Sequence, residues 1–240
     1  MSIDVELVPF LTQLRELYSQ PRGFARFKEY LDILRSQTGE MELPISNVNP
    51  MAKPQVLEYV EQLIALDAES EALQAARDGA RRFDGVDDAL RLIVIVADDA
   101  QGGWTNRYFT EFAHRYERKH EVARGWATVM LWSSEQPSPN LVRTRALETL
   151  YRTVDERAHG PVRTLREILD REMRTQRFAG TTSRYEEPAY RSKVEPYLDS
   201  RAAPIVFAAL YGDAAAESLG YPPLGIPESE RGPLARSPLV

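Results

Sequence analysis

Apolar residues recur along this chain with two different spacings, and the change between them marks where helices give way to strands. Residues 4–19 place Leu7, Val8, Leu11, Leu14, Leu17 and Tyr18 at helical intervals. Beyond the breaker SQPRG (residues 19–23), Phe24, Phe27, Tyr30, Leu31 and Leu34 repeat that interval. Together they predict an αα-hairpin over residues 1–38, packed on the rest as an appendage. MELPIS (41–46) reads as a short strand that Pro44 keeps out of the middle of a sheet. A long helix is expected from residue 54 to about residue 83, with Val56, Tyr59, Val60, Leu63 and Ile64 on its apolar face.

The period then disappears. LIVIVA (92–97) is apolar at every position, as strands covered on both faces are, and ATVMLW (127–132) is a second apolar run. A long loop and an amphipathic helix of about fifteen residues lie between them, which is the layout of a βαβ crossover. Helices are expected over about 140–159 and 161–176, with Gly160 as a stop and Pro161 as a first helical residue. Residues 180–201 are polar and turn-rich, readable as a lid or as a simple connection. PIVFAAL (204–210) fits a strand or a buried helix, and five prolines follow from residue 222 onward. The pattern predicts an α/β fold: a mainly parallel sheet of about three to five strands flanked by helices, with the N-terminal hairpin attached. A mostly helical chain with a small sheet is the alternative. The units expected are the hairpin (1–38), an α/β core (39–221) and an extended proline-rich tail (222–240).

Composition narrows the partners. The net charge of −6 makes nucleic acid and anionic membranes poor partners for the surface as a whole. With no cysteine there is no disulfide, thiolate metal site or cysteine nucleophile. No apolar run reaches the roughly 20 residues of a membrane span, and residues 1–10 lack the features of a secretory signal, so a cytoplasmic location is expected.

In parallel sheets, ligands lie beyond the carboxyl ends of the strands. Those ends are expected to carry Ser46, Asn47 and Asn49, then Asp98 through Arg107, then Ser133, Ser134 and Glu135, and finally Asp213. Asp98 and Asp99 are the first candidates. Adjacent carboxylates at the end of a buried strand repel, and need a cation, an arginine or several backbone donors. A divalent ion such as Mg²⁺ takes oxygen ligands of this kind; otherwise one aspartate caps a turn and the other faces water. Gly102, Gly103, Trp104, Thr105, Asn106 and Arg107 read as a close-approach turn into a helix, with Thr105 or Asn106 as N-cap and Arg107 able to hold an anionic group. The alternative is a tight turn whose tryptophan packs on the core. Asn49 joins them as a polar ligand-binding candidate.

Each histidine follows a glutamate by three residues: Glu111 and His114, Glu117 and His120, Glu156 and His159. Repeated ExxH is how some helical bundles hold metal ions. By helical phase, however, Glu111 and His114 project away from Tyr108, Phe109, Phe112 and Tyr116, and Glu156 and His159 away from Leu147, Leu150, Tyr151 and Val154. Solvent-facing pairs are therefore expected. Glu172 is the reverse case, since it falls among Leu165, Ile168, Leu169 and Met173. A buried carboxylate there acts as acid or base, or pairs with an arginine. With Glu135 it completes the catalytic candidates. No nucleophile elbow, HExxH or EF-hand loop is present. Two functions follow from these residues: binding of a small polar or anionic metabolite at the strand ends, with or without metal-assisted catalysis, or a non-catalytic protein that docks a protein partner through the hairpin and tail.

Overall fold

LIVIVA is the buried end of the central strand in a computed structural model of the chain, which describes residues 2–35, 39–100, 105–182 and 187–226. The chain is about 56% helical around one three-stranded parallel sheet. Both the α/β description and that of a mostly helical chain with a small sheet fit this architecture. The order is β1 (Ile3–Leu7), β2 (Asp88–Ala97), β3 (Trp126–Trp132). The helices α1 (Leu11–Ser19), α2 (Phe24–Leu34), α3 (Pro54–Ala65) and α4 (Ala68–Ala80) link β1 to β2, and α5 (Arg107–Tyr116) and α6 (Lys119–Ala123) link β2 to β3. After the sheet come α7 (Pro139–His159), α8 (Leu165–Ala179), α9 (Pro188–Val194), α10 (Ala203–Tyr211) and α11 (Asp213–Glu217).

β1 corrects the helix expected over residues 4–19. Ile3, Val5 and Leu7 alternate with Asp4 and Glu6, the pattern of an edge strand, and Ile3 and Val5 are buried. Helical spacing begins only at Leu11, so Leu7 and Val8 belong to a different element. Residues 41–46 form no strand; Met41 makes a single antiparallel bridge to Arg35. The long helix of residues 54–83 is two, broken at Asp67, whose left-handed φ of 51° ends one helical path and starts another. The next helix starts at Leu165 rather than Pro161. Thr164 and Glu167 form a reciprocal capping box there, which outcompetes the proline as a start signal. PIVFAAL is helix α10, and Asp213 therefore caps a turn, its Oδ1 accepting the Leu224 N–H at 2.8 Å, instead of standing at a strand end.

In register, Leu7 pairs with Leu92 and Ala97 with Trp132, so β2 and β3 run five residues past the end of β1. Arg26, Ile45, Val48 and Asn49 are buried alongside α1, where the Tyr18 hydroxyl donates to the Asn49 carbonyl (3.0 Å) and the Tyr30 hydroxyl to that of Ile45 (3.1 Å). One apolar core joins the sheet to α1, α3, α4 and the Val142–Ala146–Leu150–Val154 stripe of α7. A second gathers α8 to α11 with Tyr108 and Phe112 of α5. In the stretch read as a lid, Tyr190 and Val194 are buried in this second core, and the Tyr190 hydroxyl donates to the Ala209 carbonyl at 2.7 Å. Residues 183–186 lie outside the described residues. So does the tail from residue 227; Ile226 is fully buried. No helix among the described residues is long and apolar enough to cross a membrane.

Candidate functional site

The ends of β2 and β3 are tied by their own polar side chains. The Ser133 hydroxyl oxygen accepts the N–H groups of Asp99 (3.2 Å) and Ala100 (3.3 Å), and its single proton is within reach of Asp98 Oδ1 (3.2 Å) and Asp99 Oδ1 (3.4 Å). Asp99 also accepts from the Ser134 N–H (3.0 Å), the Ser134 hydroxyl (2.8 Å) and Arg107 Nη1 (3.2 Å). The repulsion between Asp98 and Asp99 is thus answered by an arginine, one of the three solutions their adjacency demanded, together with hydroxyl and backbone donors. Among the described residues, no group of three or more His, Cys, Asp or Glu side chains is placed to hold a metal ion.

The turn into α5 is built as a cap. Asn106 is the N-cap, its Oδ1 accepting the Phe109 N–H at 3.0 Å, while the Thr105 hydroxyl donates to the Asp98 carbonyl at 2.7 Å. Gly102, Gly103 and Trp104 lie outside the described residues. Arg107 reaches back over the Trp132 ring, 5.2 Å from its centroid, and donates to Glu135 Oε1 at 2.7 Å. Arg145 donates to the same oxygen at 2.7 Å. Asn49 turns inward on its own loop, Oδ1 accepting the Met51 N–H at 2.9 Å. The fold therefore gathers Asp98, Asp99, Thr105, Asn106, Arg107 and Glu135 at one edge, as expected.

Glu172 lies elsewhere, but joined to that edge by charge. From Arg145 the chain of ion pairs runs to Glu148 (3.5 Å), Arg152 (3.7 Å), Glu172 (2.7 Å), Arg115 (3.0 Å) and Glu111. With Asp99, Arg107 and Glu135 in front, nine residues of alternating sign cross the protein between α5, α7 and α8. Arg115, Arg145, Glu148, Arg152 and Glu172 are all buried. Burial by itself pushes the Glu172 carboxyl up, but Arg152, Arg115 and Arg171 outweigh it and hold the group down at about 2. At neutral pH such a carboxylate has no proton to give and takes one up weakly. A narrow space of about 20 Å³ lined by Arg115, Arg145 and Glu148 has room for a single water.

This seam overturns the solvent-facing reading for Glu111, His114 and Glu156. Glu111 is buried, and His114 Nε2 donates to the Thr128 carbonyl at 3.0 Å. Burial, reinforced by Arg118 and Arg115, keeps the His114 imidazole neutral with a pKa well below its usual value. Glu156 is buried against Arg171 (3.5 Å), whereas Glu117, His120 and His159 are exposed. The helical phase was read correctly but its meaning was not, because α5 and α7 bury both of their faces. A signal for this is in the sequence: Arg145, Glu148, Arg152 and Asp155–Glu156 alternate in sign at intervals of three and four, a self-neutralising stripe that a helix can bury.

Beside the strand ends lies an open pocket of about 460 Å³, whose lining includes Gln55, Glu58, Tyr59 and Gln62 of α3 with Ser133, Ser134 and Glu135. Three buried polar atoms of its lining residues have no hydrogen-bond partner: Gln55 Nε2, the Tyr59 hydroxyl and Glu135 Oε2. Burial, with the Glu135 charge adding to it, raises the Tyr59 pKa, so the phenol keeps its proton as a donor. Tyr59 and Gln55 were not among the residues expected to carry function. Their helix was read for its apolar stripe alone, and Tyr59 counted as core. No known protein family, curated protein or solved structure matches this chain.

Proposed function

We propose that this chain binds a small polar molecule, rich in hydroxyl or amine groups, in the pocket beyond the ends of β2 and β3. The observation that carries this reading is the set of three unpartnered polar atoms, two donors and one acceptor, on residues of one pocket. Unpaired buried groups of this kind each cost about 1–3 kcal/mol, and a ligand that pairs them recovers that cost. The position suits the general preference of ligands for the carboxyl edge of parallel strands. Glu58 and Glu135 favour a neutral or amine-bearing ligand over an anionic one, since both guanidinium groups nearest Glu135 are already spent on its other oxygen. Asp98, Asp99 and Arg107 then serve to hold Ser133, Ser134 and Glu135 in place, and the reading runs through no metal ion.

A thermal-shift screen against polyols, amino sugars, polyamines and nucleosides, with Mg²⁺ as a separate arm, tests it. A hit is expected whose stabilisation disappears in Tyr59→Phe and in Glu135→Gln while both variants remain folded. Tyr59→Phe without ligand should melt at or slightly above wild type, because it deletes an unpaired hydroxyl. A flat screen refutes the reading, and a Mg²⁺ response lost in Asp98→Asn would replace it with a metal site.

A second reading, protein docking through the N-terminal hairpin, draws on α2, where Phe24 is 81% exposed and Phe27 37%. It expects a co-purifying partner that Phe24→Ser with Phe27→Ser releases and Tyr59→Phe does not.

A further inference from the structure

The opposite end of the sheet carries a second pocket, of about 260 Å³, between α6, the start of β3 and the segment 41–46. Its floor is set by the turn into β3. Gly125 has a φ of 78°, and a Cβ there would stand 3.0 Å from the Ala89 carbonyl oxygen, so only glycine lets β3 begin where it does. Trp126 follows, 1% exposed, with the Arg91 guanidinium 4.1 Å from its ring centroid. Its indole Nε1–H has no partner. Arg118, 6% exposed, is oriented by Nη2 donating to the Thr153 hydroxyl at 2.9 Å, and its Nε and Nη1 have no partner. Glu121 Oε2 is also buried and unpartnered. All three residues line the pocket; the rest of its lining is aliphatic on one side, with Leu34, Met41, Leu43 and Pro44, and otherwise polar, with Glu42, Ser46, Glu117, His120 and Arg124.

These features are complementary to one chemical class. A cationic donor and a neutral donor fit a carboxylate, an unpaired carboxylate oxygen fits an ammonium, and the aliphatic wall fits a side chain without charge. We propose that this pocket is a binding site for a free α-amino acid with an apolar side chain. Arg118 and Trp126 hold its carboxylate, Glu121 its ammonium, and Leu43 and Pro44 its side chain. The volume of about 260 Å³ leaves room for an amino acid of leucine's size. A phosphate is a poorer match, since it offers nothing to Glu121 or to the aliphatic wall. A fatty acid leaves Glu121 unpaired. Burial raises the Glu121 pKa and the nearby Arg118 opposes it, the setting in which an arriving ammonium is favoured. The site shares no lining residue with the pocket at the other end of the sheet, so the two proposals stand or fall separately.

Titration calorimetry on the whole chain tests it, using leucine, methionine and phenylalanine beside 4-methylpentanoate and isopentylamine, which keep one charge each. At least one amino acid is expected to bind, and both single-charge analogues to bind about tenfold or more weakly, as loss of a charged hydrogen bond predicts. Glu121→Gln should weaken the amino acid by about tenfold and leave 4-methylpentanoate unchanged. Leu43→Trp, which fills the pocket from its aliphatic side, should abolish both. No binding by any of the three amino acids overturns the proposal. So does binding that survives Leu43→Trp, or 4-methylpentanoate binding as tightly as leucine.

Discussion

α7 buries two opposite faces, and they are held by opposite physics. Toward the sheet, Val142, Ala146, Leu150 and Val154 join a core in which Leu14, Leu17, Leu63, Ala72 and Ile95 are sealed from water. Toward α5 and α8, Arg145, Glu148, Arg152 and Glu156 are buried too, but in ion pairs. Apolar contacts are non-directional, so the first face stabilises any arrangement that excludes water at the right volume. The second gains only where guanidinium and carboxylate meet in geometry, because each ion arrives with a desolvation cost of several kcal/mol. The first face therefore makes the chain collapse, and the second selects how α5 and α8 sit against α7.

Removing one charge from the middle of the ladder is the strongest way to break this contrast. Glu172→Ala leaves Arg115 and Arg152 buried without their shared partner and is expected to cost about 3–5 kcal/mol in denaturant unfolding. Replacing Glu111, Arg115, Arg152 and Glu172 together by Leu, Met, Met and Leu, which leaves Glu148 its partner Arg145, should cost far less than the single change, and can be neutral. A quadruple variant as unstable as Glu172→Ala would mean that the seam is more than charge balance.

Acid acts on one face and spares the other. The Glu172 pKa falls from 4.5 unfolded to about 2 folded, so the stability it contributes is complete above pH 4.5 and is lost as pH drops toward 2. At about 1.4 kcal/mol per unit this amounts to about 3 kcal/mol. His114, depressed below 6.5 and kept neutral, starts the decline earlier, because the unfolded chain takes up its proton as pH falls through 6.5. Urea midpoints measured between pH 7 and 3 should show both onsets in wild type, and His114→Gln should lose only the one near 6.5.

On the apolar face, Leu63→Ala is expected to cost about 2–5 kcal/mol, and the loss should be the same at pH 7 and pH 4. A pH-dependent loss would show that the two faces are coupled through α7. Smallest of all is Thr164→Ala, which deletes the capping box of α8 and is expected to cost about 1 kcal/mol by thermal melting. A larger effect would mean that the start of α8 also sets the register of Glu172 against Arg115 and Arg152.

Much of this was open to reading from residues alone. LIVIVA and ATVMLW had to be buried strands because no face of either is polar. The helix between them and the long helix after them follow from periodicity, and so does the parallel order, since a crossover joins β2 to β3. That order also placed Asp98, Asp99, Arg107 and Glu135 on one edge before any coordinates. The burial of Glu172 followed from its phase. What periodicity could not supply was the identity of the neighbour. β1 was hidden because an alternating strand of five residues ran directly into a helical pattern that borrowed its last leucine. The polar sides of α5 and α7 looked like solvent faces because phase says only which residues point the same way. Whether water or another row of charges lies opposite is decided when helices distant in sequence meet. Tyr59 and Trp126 show the same limit at the level of single atoms: the helical phase placed the Tyr59 ring inside, and only the packed structure decided that its hydroxyl and the Trp126 indole N–H would be left without a partner, because satisfaction depends on what each atom faces.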